Sequence, residues 1–274
     1  MKMYHMNKSD AISTINSSRG SQIKFFRDGY WYKIDESGPE GMAEELTSLI
    51  LRHSSLSDDE YVQYESCQIE YGNAVYPGCR SKSFINHEEQ FVSYAKIYEV
   101  LTGGELDEEI IQFPSPSDRI AFVCHIVEEF SGLNVAEHIA KNATLDMVTL
   151  NTDRHFHNIG IITDKNFENA RNAPIFDNGA AFLSNYARNN PSLTISDLDI
   201  HSNIFGRPYA ADLEYQAVCA GINIQFDFDA IFDDIQENYS EKLNTRIVQI
   251  LLRQIEFCRN IPTLTYGKDD IDTR

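Results

Sequence analysis

Apolar and polar positions alternate most clearly near the start of the chain. Residues 22–26 form a short apolar-rich run and residues 30–34 a second, with Arg27-Asp28-Gly29 between them. Asp-Gly between two such runs signals a hairpin, because a tight turn needs backbone angles that glycine and aspartate tolerate. Pro39 and Gly41 then open a stretch, 42–51, in which Met42, Leu46, Leu49 and Ile50 recur at helical spacing. Further strands are predicted at 61–71 and 80–85. Strand, turn, strand, helix, strands describes a small α+β lobe.

The pattern changes near residue 86. Helical periodicity predicts helices over 88–101, 116–130 and 134–150. A compact polar loop follows at 151–158, then a short apolar strand at 159–163, a polar turn at 166–172 and a second short strand at 173–176. The part from 210 to 261 reads as mainly helical, and 267–274 as a polar, frayed end. The expected organisation is a β-rich N-lobe over 1–85 and a larger, mainly helical C-lobe over 86–274.

Composition narrows the function classes. The 274 residues are 42% hydrophobic and include 16 Phe and 14 Tyr, enough to bury a core shared by two lobes. Lys plus Arg total 23 and Asp plus Glu total 42, so the net charge is −19. A surface this acidic repels phosphate backbones and anionic membranes, so direct nucleic-acid binding is not expected. Any nucleotide site must gather its few cations locally. Five widely spaced cysteines without a CxxC pair argue against a disulfide framework or a zinc site. The run MKMYHMNKSD has no apolar core of signal-peptide type, and no stretch approaches the roughly 18 apolar residues of a membrane span. A cytoplasmic location is expected.

The candidate chemistry lies in two loops. Asn151-Thr152-Asp153-Arg154-His155-Phe156-His157-Asn158 precedes the apolar run Ile159-Gly160-Ile161-Ile162, and Pro174-Ile175-Phe176-Asp177-Asn178-Gly179 follows the next turn. Strand, polar turn, strand has the shape of a hairpin, and a hairpin brings its two ends to one side. Asn158 at the entry and Asp177 at the exit can therefore face one point. An amide oxygen and a carboxylate are hard ligands that suit Mg²⁺, whose other ligands come from water and phosphate. Asp153, on the preceding loop, can accept a proton from an attacking hydroxyl or orient it. Phosphoryl transfer needs in-line positioning and charge neutralisation, and these side chains supply part of both.

The run DRHFHN, an apolar strand and then FDN resembles the catalytic and metal-binding loops of HipA-like kinases. It is also similar to the D-R-H-x-x-N loop of the phosphatidylinositol kinase superfamily, which shares the protein-kinase-like fold. Ordinary protein kinases carry H-R-D and D-F-G at these places. The resemblance implies a two-lobed kinase fold, ATP and Mg²⁺ as cofactors, Asp153 as catalytic base, and Asn158 and Asp177 as metal ligands. It implies a serine/threonine protein substrate, and it raises a small antitoxin-like protein as a candidate partner.

A kinase reading also demands a nucleotide half. Lys33 lies in Tyr30-Trp31-Tyr32-Lys33-Ile34, where the strand lysine that contacts the α- and β-phosphates is expected. The segment GMAEELTSLIL resembles the family helix and aligns Glu44 as its carboxylate partner, with Glu45 in reserve. Asn16-Ser17-Ser18-Arg19-Gly20-Ser21 occupies the place of a phosphate-covering loop. Its single glycine departs from G-x-G-x-x-G, so Ser18, Gly20 and Ser21 would act through backbone N–H groups and hydroxyls. In the resembled group this loop is itself phosphorylated on serine, which marks Ser17, Ser18 and Ser21. The segment 80–85 resembles the strand leading to the interlobe hinge, where backbone groups of Phe84 and Ile85 would bond adenine.

Rival readings remain at this stage. His155-x-His157 with Asp153 is a candidate Zn²⁺ set. The same fold also serves lipid and small-molecule kinases, and catalytically silent binding modules. The presence of Lys33, Asp153, Asn158 and Asp177 together weighs against a silent module.

Overall fold

A computed structural model describes residues 1–12, 22–186 and 213–265. Five strands form a curled mixed sheet in the order β1-β4-β5-β3-β2: β1 (Lys2–Met6), β2 (Lys24–Arg27), β3 (Tyr30–Ile34), β4 (Tyr64–Tyr71) and β5 (Ala74–Lys82). β1 runs parallel to β4, and the other pairings are antiparallel. The Asp-Gly signal is realised as a two-residue turn with both φ angles positive, 53° at Asp28 and 77° at Gly29. That turn sets Lys24 directly opposite Lys33.

Two strands of this sheet depart from the sequence reading. β1 was not expected, and its five residues lie at the sheet edge, mostly exposed. β5 begins at Ala74 and ends at Lys82, whereas the pattern placed a strand at 80–85. Pro77 and Gly78 masked its first half, since both residues ordinarily interrupt strands. Gly78 belongs in the strand because backbones crowd it: a Cβ there would lie 2.1 Å from the Lys33 carbonyl oxygen.

Helix α1 (Glu40–Arg52) crosses this sheet and buries Ala43, Leu46, Leu49, Ile50 and Leu51. Its first turn passes β5 glycine to glycine, because a Cβ on Gly41 would stand 2.5 Å from the backbone of Gly78. The rest of the chain comprises β6 (Glu89–Ser93), α2 (Tyr94–Thr102), α3 (Leu106–Ile110), α4 (Pro116–Ser131), α5 (Ala136–Thr149), β7 (Gly160–Asp164), β8 (Ala170–Asn172), a short 3₁₀ stretch Ala181–Tyr186, α6 (Leu213–Ala220), α7 (Phe228–Asn238) and α8 (Arg246–Cys258). One continuous apolar core runs from Leu46 and Leu49 of α1 through Tyr94, Phe156 and Leu183 to Leu251 of α8. The helix that follows the first hairpin is thus packed into the helical lobe as well as onto the sheet.

The expected helix at 88–101 is a strand followed without a loop by a helix. Glu89–Ser93 pairs with β7, and Ser93 then caps α2 by accepting the Lys96 N–H at 3.1 Å. Phe91 and Val92 fall in phase with the apolar face of the helix behind them, which hides the junction. The hairpin after the loop 151–158 exists, but its return strand is 170–172. Ala173 still donates its N–H to the Gly160 carbonyl, after which the chain leaves β7 and Ile175 bridges to Tyr61. Among the described residues no helix is long and apolar enough to cross a membrane.

Candidate active site

Lys33 is held at the cleft by the strands on either side of β3. Its Nζ lies 3.0 Å from Glu44 Oε1 and 2.6 Å from Asp177 Oδ1, with the Tyr64 ring 5.1 Å away. The glycine crossing at Gly41 and Gly78 sets this reach, because it lets the first turns of α1 approach β3 and β5. Glu44 is 1% exposed. Glu45 faces the other way and bonds Tyr239 beyond α7, so the helix presents only the first of its two glutamates to Lys33.

The loop 151–158 starts from a left-handed residue, Leu150 (φ 52°), which ends α5 and turns the chain back. Asn151 locks that turn: its side chain donates to Asp146 Oδ1 at 3.1 Å and its amide oxygen accepts the Asp153 N–H at 3.2 Å. The far end of the loop rests on α2, where Tyr94 N–H donates to the Ile159 carbonyl and Ala95 N–H to that of Phe156. Two otherwise orphaned helix N–H groups are satisfied this way. Asn158 is buried, and its Oδ1 accepts the His155 N–H at 3.2 Å.

Asp177 stands in the left-handed region at φ 61°. Burial would raise its carboxyl, but Lys33 and then Lys24 outweigh burial and hold it well below the usual carboxylate range. Lys33 feels burial in the opposite sense; Asp177 and Glu44 override it and raise its ammonium well above the ordinary lysine value. Glu44 is pushed up by burial, which Lys33 only partly offsets, with Asp177 adding to the rise. Asp153 opens to solvent at the loop surface, yet desolvation in its recess raises its carboxyl; His155 opposes the shift and Asp177 adds to it.

Lys33, Glu44, Asp153, Asn158 and Asp177 all line one cavity of about 270 Å³. The structure therefore brings together the two loops and the Lys33–Glu44 pair. Lys24 also lines this cavity, with its ammonium lowered chiefly by burial. It was missed in the sequence, although the two-residue turn already fixes it opposite Lys33. Arg154 and Asn178, both buried, were likewise given no role. Phe84 and Ile85 are not among the lining residues: Phe84 packs on Phe91 and Phe176, and the Ile85 N–H donates to Ser83 Oγ. Ser17, Ser18, Gly20 and Ser21 fall outside the described residues.

The donors facing the cavity suit a hard divalent cation. Asn158 offers an amide oxygen, and Asp177 and Asp153 offer carboxylates, a set that matches Mg²⁺. Zinc fits poorly, since His157 turns away toward Asp107 at 3.8 Å. Among the described residues no three His, Cys, Asp or Glu side chains form a metal cluster.

A curled sheet, one helix crossing it, and a helical lobe carrying both loops make this a two-lobed, protein-kinase-like α+β fold. The structure of the Helicobacter pylori proinflammatory kinase CtkA is similar to it, with a TM-score of 0.56 over 93% of this chain and 94% of that one, at 13% identity. No family model and no curated protein matches the chain.

Proposed function

We propose that the chain is an ATP- and Mg²⁺-dependent kinase that transfers the γ-phosphoryl group to a hydroxyl, most closely a serine/threonine protein kinase of HipA type. The observation that carries this reading is the Lys33–Glu44–Asp177 ion-pair cluster opening into the same cavity as Asp153 and Asn158. Lys33 and Lys24, side by side on adjacent strands, supply the local positive charge that an acidic chain needs to hold a polyphosphate. Asn158 and Asp177 would hold the divalent cation. Bound there, the cation neutralises charge on the phosphate oxygens.

The protein's own part is positioning. Asp153, at the open side of the cavity, accepts a hydrogen bond from the attacking hydroxyl and orients it. Its neighbour Arg154 is buried, so the loop presents the carboxylate and keeps the guanidinium inside. The resemblance of DRHFHN and FDN to HipA-like loops supports the protein hydroxyl as acceptor over a lipid.

The test is γ-labelled ATP with Mg²⁺, comparing wild type with Asp153→Ala and Asp177→Ala. Label reaching protein in the wild type and in neither variant is the expected result. Nucleotide binding without transfer to protein, lipid or water makes the chain a binding module instead.

A further inference from the structure

Arg154 has no exposed surface, and three residues on two segments of the chain share its guanidinium. Nε and Nη2 donate to Asp146 on α5 at 3.2 and 3.0 Å, Nη1 donates to the Phe176 carbonyl at 2.6 Å, and Nη2 donates to Asn178 Oδ1 at 2.5 Å. The last two partners flank Asp177 in sequence. Asn178 is 1% exposed, and its backbone N–H donates to Glu44 Oε2 at 2.9 Å. Its amide oxygen is therefore directed at Arg154, and its N–H at the α1 glutamate.

These contacts form one continuous bridge. It runs from α5 through Arg154 of the catalytic loop to Asn178, from Asn178 to Glu44, and from Glu44 to Lys33. Asp177 sits between two anchored neighbours in the left-handed region, which aspartate tolerates better than most non-glycine residues. We infer that Asn178, gripped by Arg154, is a positioning residue that holds Asp177 toward the cavity and Glu44 toward Lys33, so that one buried amide sets both halves of the site. This rests on the kinase reading above for its catalytic meaning, but not for its geometry. Asparagine suits the position because its side-chain oxygen accepts from the buried guanidinium while its backbone N–H donates to Glu44. Arginine suits its own because three partners in different directions need the guanidinium fork, which an ammonium does not reproduce.

The experiment compares wild type, Asn178→Leu and Asn178→Asp. Asn178→Leu removes the acceptor at similar volume, and Asn178→Asp keeps an oxygen where Arg154 expects one. The Mg²⁺ dependence of labelled transfer is measured at saturating ATP, together with kcat and the KM for ATP. For Asn178→Leu the half-saturating Mg²⁺ concentration is expected to rise about tenfold or more, with kcat falling further than KM rises. Asn178→Asp is expected to return the Mg²⁺ dependence to within about threefold of wild type, as an outer partner that preserves the bond should. Unchanged Mg²⁺ dependence in Asn178→Leu, or equal damage in both variants, overturns the inference.

Should Asn178→Leu not fold, Asn178→Ser, whose hydroxyl falls short of Arg154, is read by the same titration. Crystal structures of wild type and variant test the positioning without catalysis. Asp177 leaving the left-handed region, or Lys33 parting from Glu44, is the expected result. Both retained in Asn178→Leu overturns the inference even if the wild type is inactive. A wild type that transfers no phosphate overturns only the functional reading.

Discussion

Lys33 Nζ lies 2.6 Å from Asp177 Oδ1, so one buried ammonium joins residues 144 positions apart and ties the strand of the first lobe to the second loop of the other. The same ammonium neutralises Glu44. Replacing it with methionine leaves two carboxylates facing each other with no cation between them. Lys33→Met is expected to cost about 3–5 kcal/mol, the usual range for breaking one side of a buried pair. The loss should shrink toward pH 4, where the stranded carboxylates take up protons. Urea denaturation at pH 7 and at pH 4 checks both statements, and equal losses at the two pH values would sink the second.

A second prediction concerns the crossing that lets Glu44 reach its lysine. Gly78 has no room for a side chain, since a Cβ would stand 2.1 Å from the Lys33 carbonyl oxygen and 3.0 Å from Ile69 Cδ1. Backbone cannot rotate aside as a flexible side chain can. Gly78→Ala should therefore push β3 away from β5, at a cost of about 3 kcal/mol. It should also weaken nucleotide binding, because Lys33 moves with its strand. A variant with wild-type thermal stability and wild-type nucleotide affinity would show that the sheet absorbs the methyl elsewhere.

The two-lobed α+β class was legible in the sequence, and so was the grouping of Lys33, Glu44, Asp153, Asn158 and Asp177 around one cavity. DRHFHN and FDN name their own residues, and a hairpin between them already implies a shared point in space. Lys24 was equally accessible, since a two-residue Asp-Gly turn fixes its register against Lys33. The bridge through Arg154 and Asn178 was not accessible. A charged residue in a loop reads as solvated, and nothing in local periodicity reveals that Asp146, one helix earlier, is buried to receive it. The strand at 89–93 was lost for a similar reason. Its apolar residues continue the phase of the next helix, and only the partner strand 70 residues later distinguishes them.

The third prediction follows from Asp35, at the exit of β3. Its carboxylate accepts the Gly41 N–H at 2.7 Å in the first turn of α1, and burial pushes its carboxyl up to about 7 from 3.8. Glu40 and Glu44 on α1 add to that rise. The folded protein thus holds a proton that the unfolded chain has released, and Asp35 makes stability fall as pH rises from about 4 to about 7. Asp35→Asn keeps an acceptor for Gly41 and cannot ionise. Relative to wild type, the variant should gain stability steadily across that interval and keep its gain above pH 7. A difference that does not change with pH would mean that Asp35 titrates normally.

His138 on α5 supplies the opposing slope. Its Nδ1 lies 2.8 Å from the Tyr94 hydroxyl, and burial lowers its pKa to about 4 from 6.5. Below pH 6.5 the unfolded chain binds a proton that the folded protein refuses, so the His138 contribution falls as pH drops to about 4, by about 3 kcal/mol in all. The Asp35 and His138 slopes overlap between pH 4 and 6.5 with opposite signs and cancel in large part. Removing either should expose the other: Asp35→Asn should steepen acid destabilisation, and His138→Gln should make the protein relatively more stable at pH 5 than at pH 7. Chemical denaturation of both variants and the double variant at half-unit pH steps reads the two slopes separately. The double variant should lose both. If His138→Gln instead shifts stability by a constant amount at every pH, the imidazole is not held neutral by its surroundings, and the seat it shares with Tyr94 next to Phe156 is open to water.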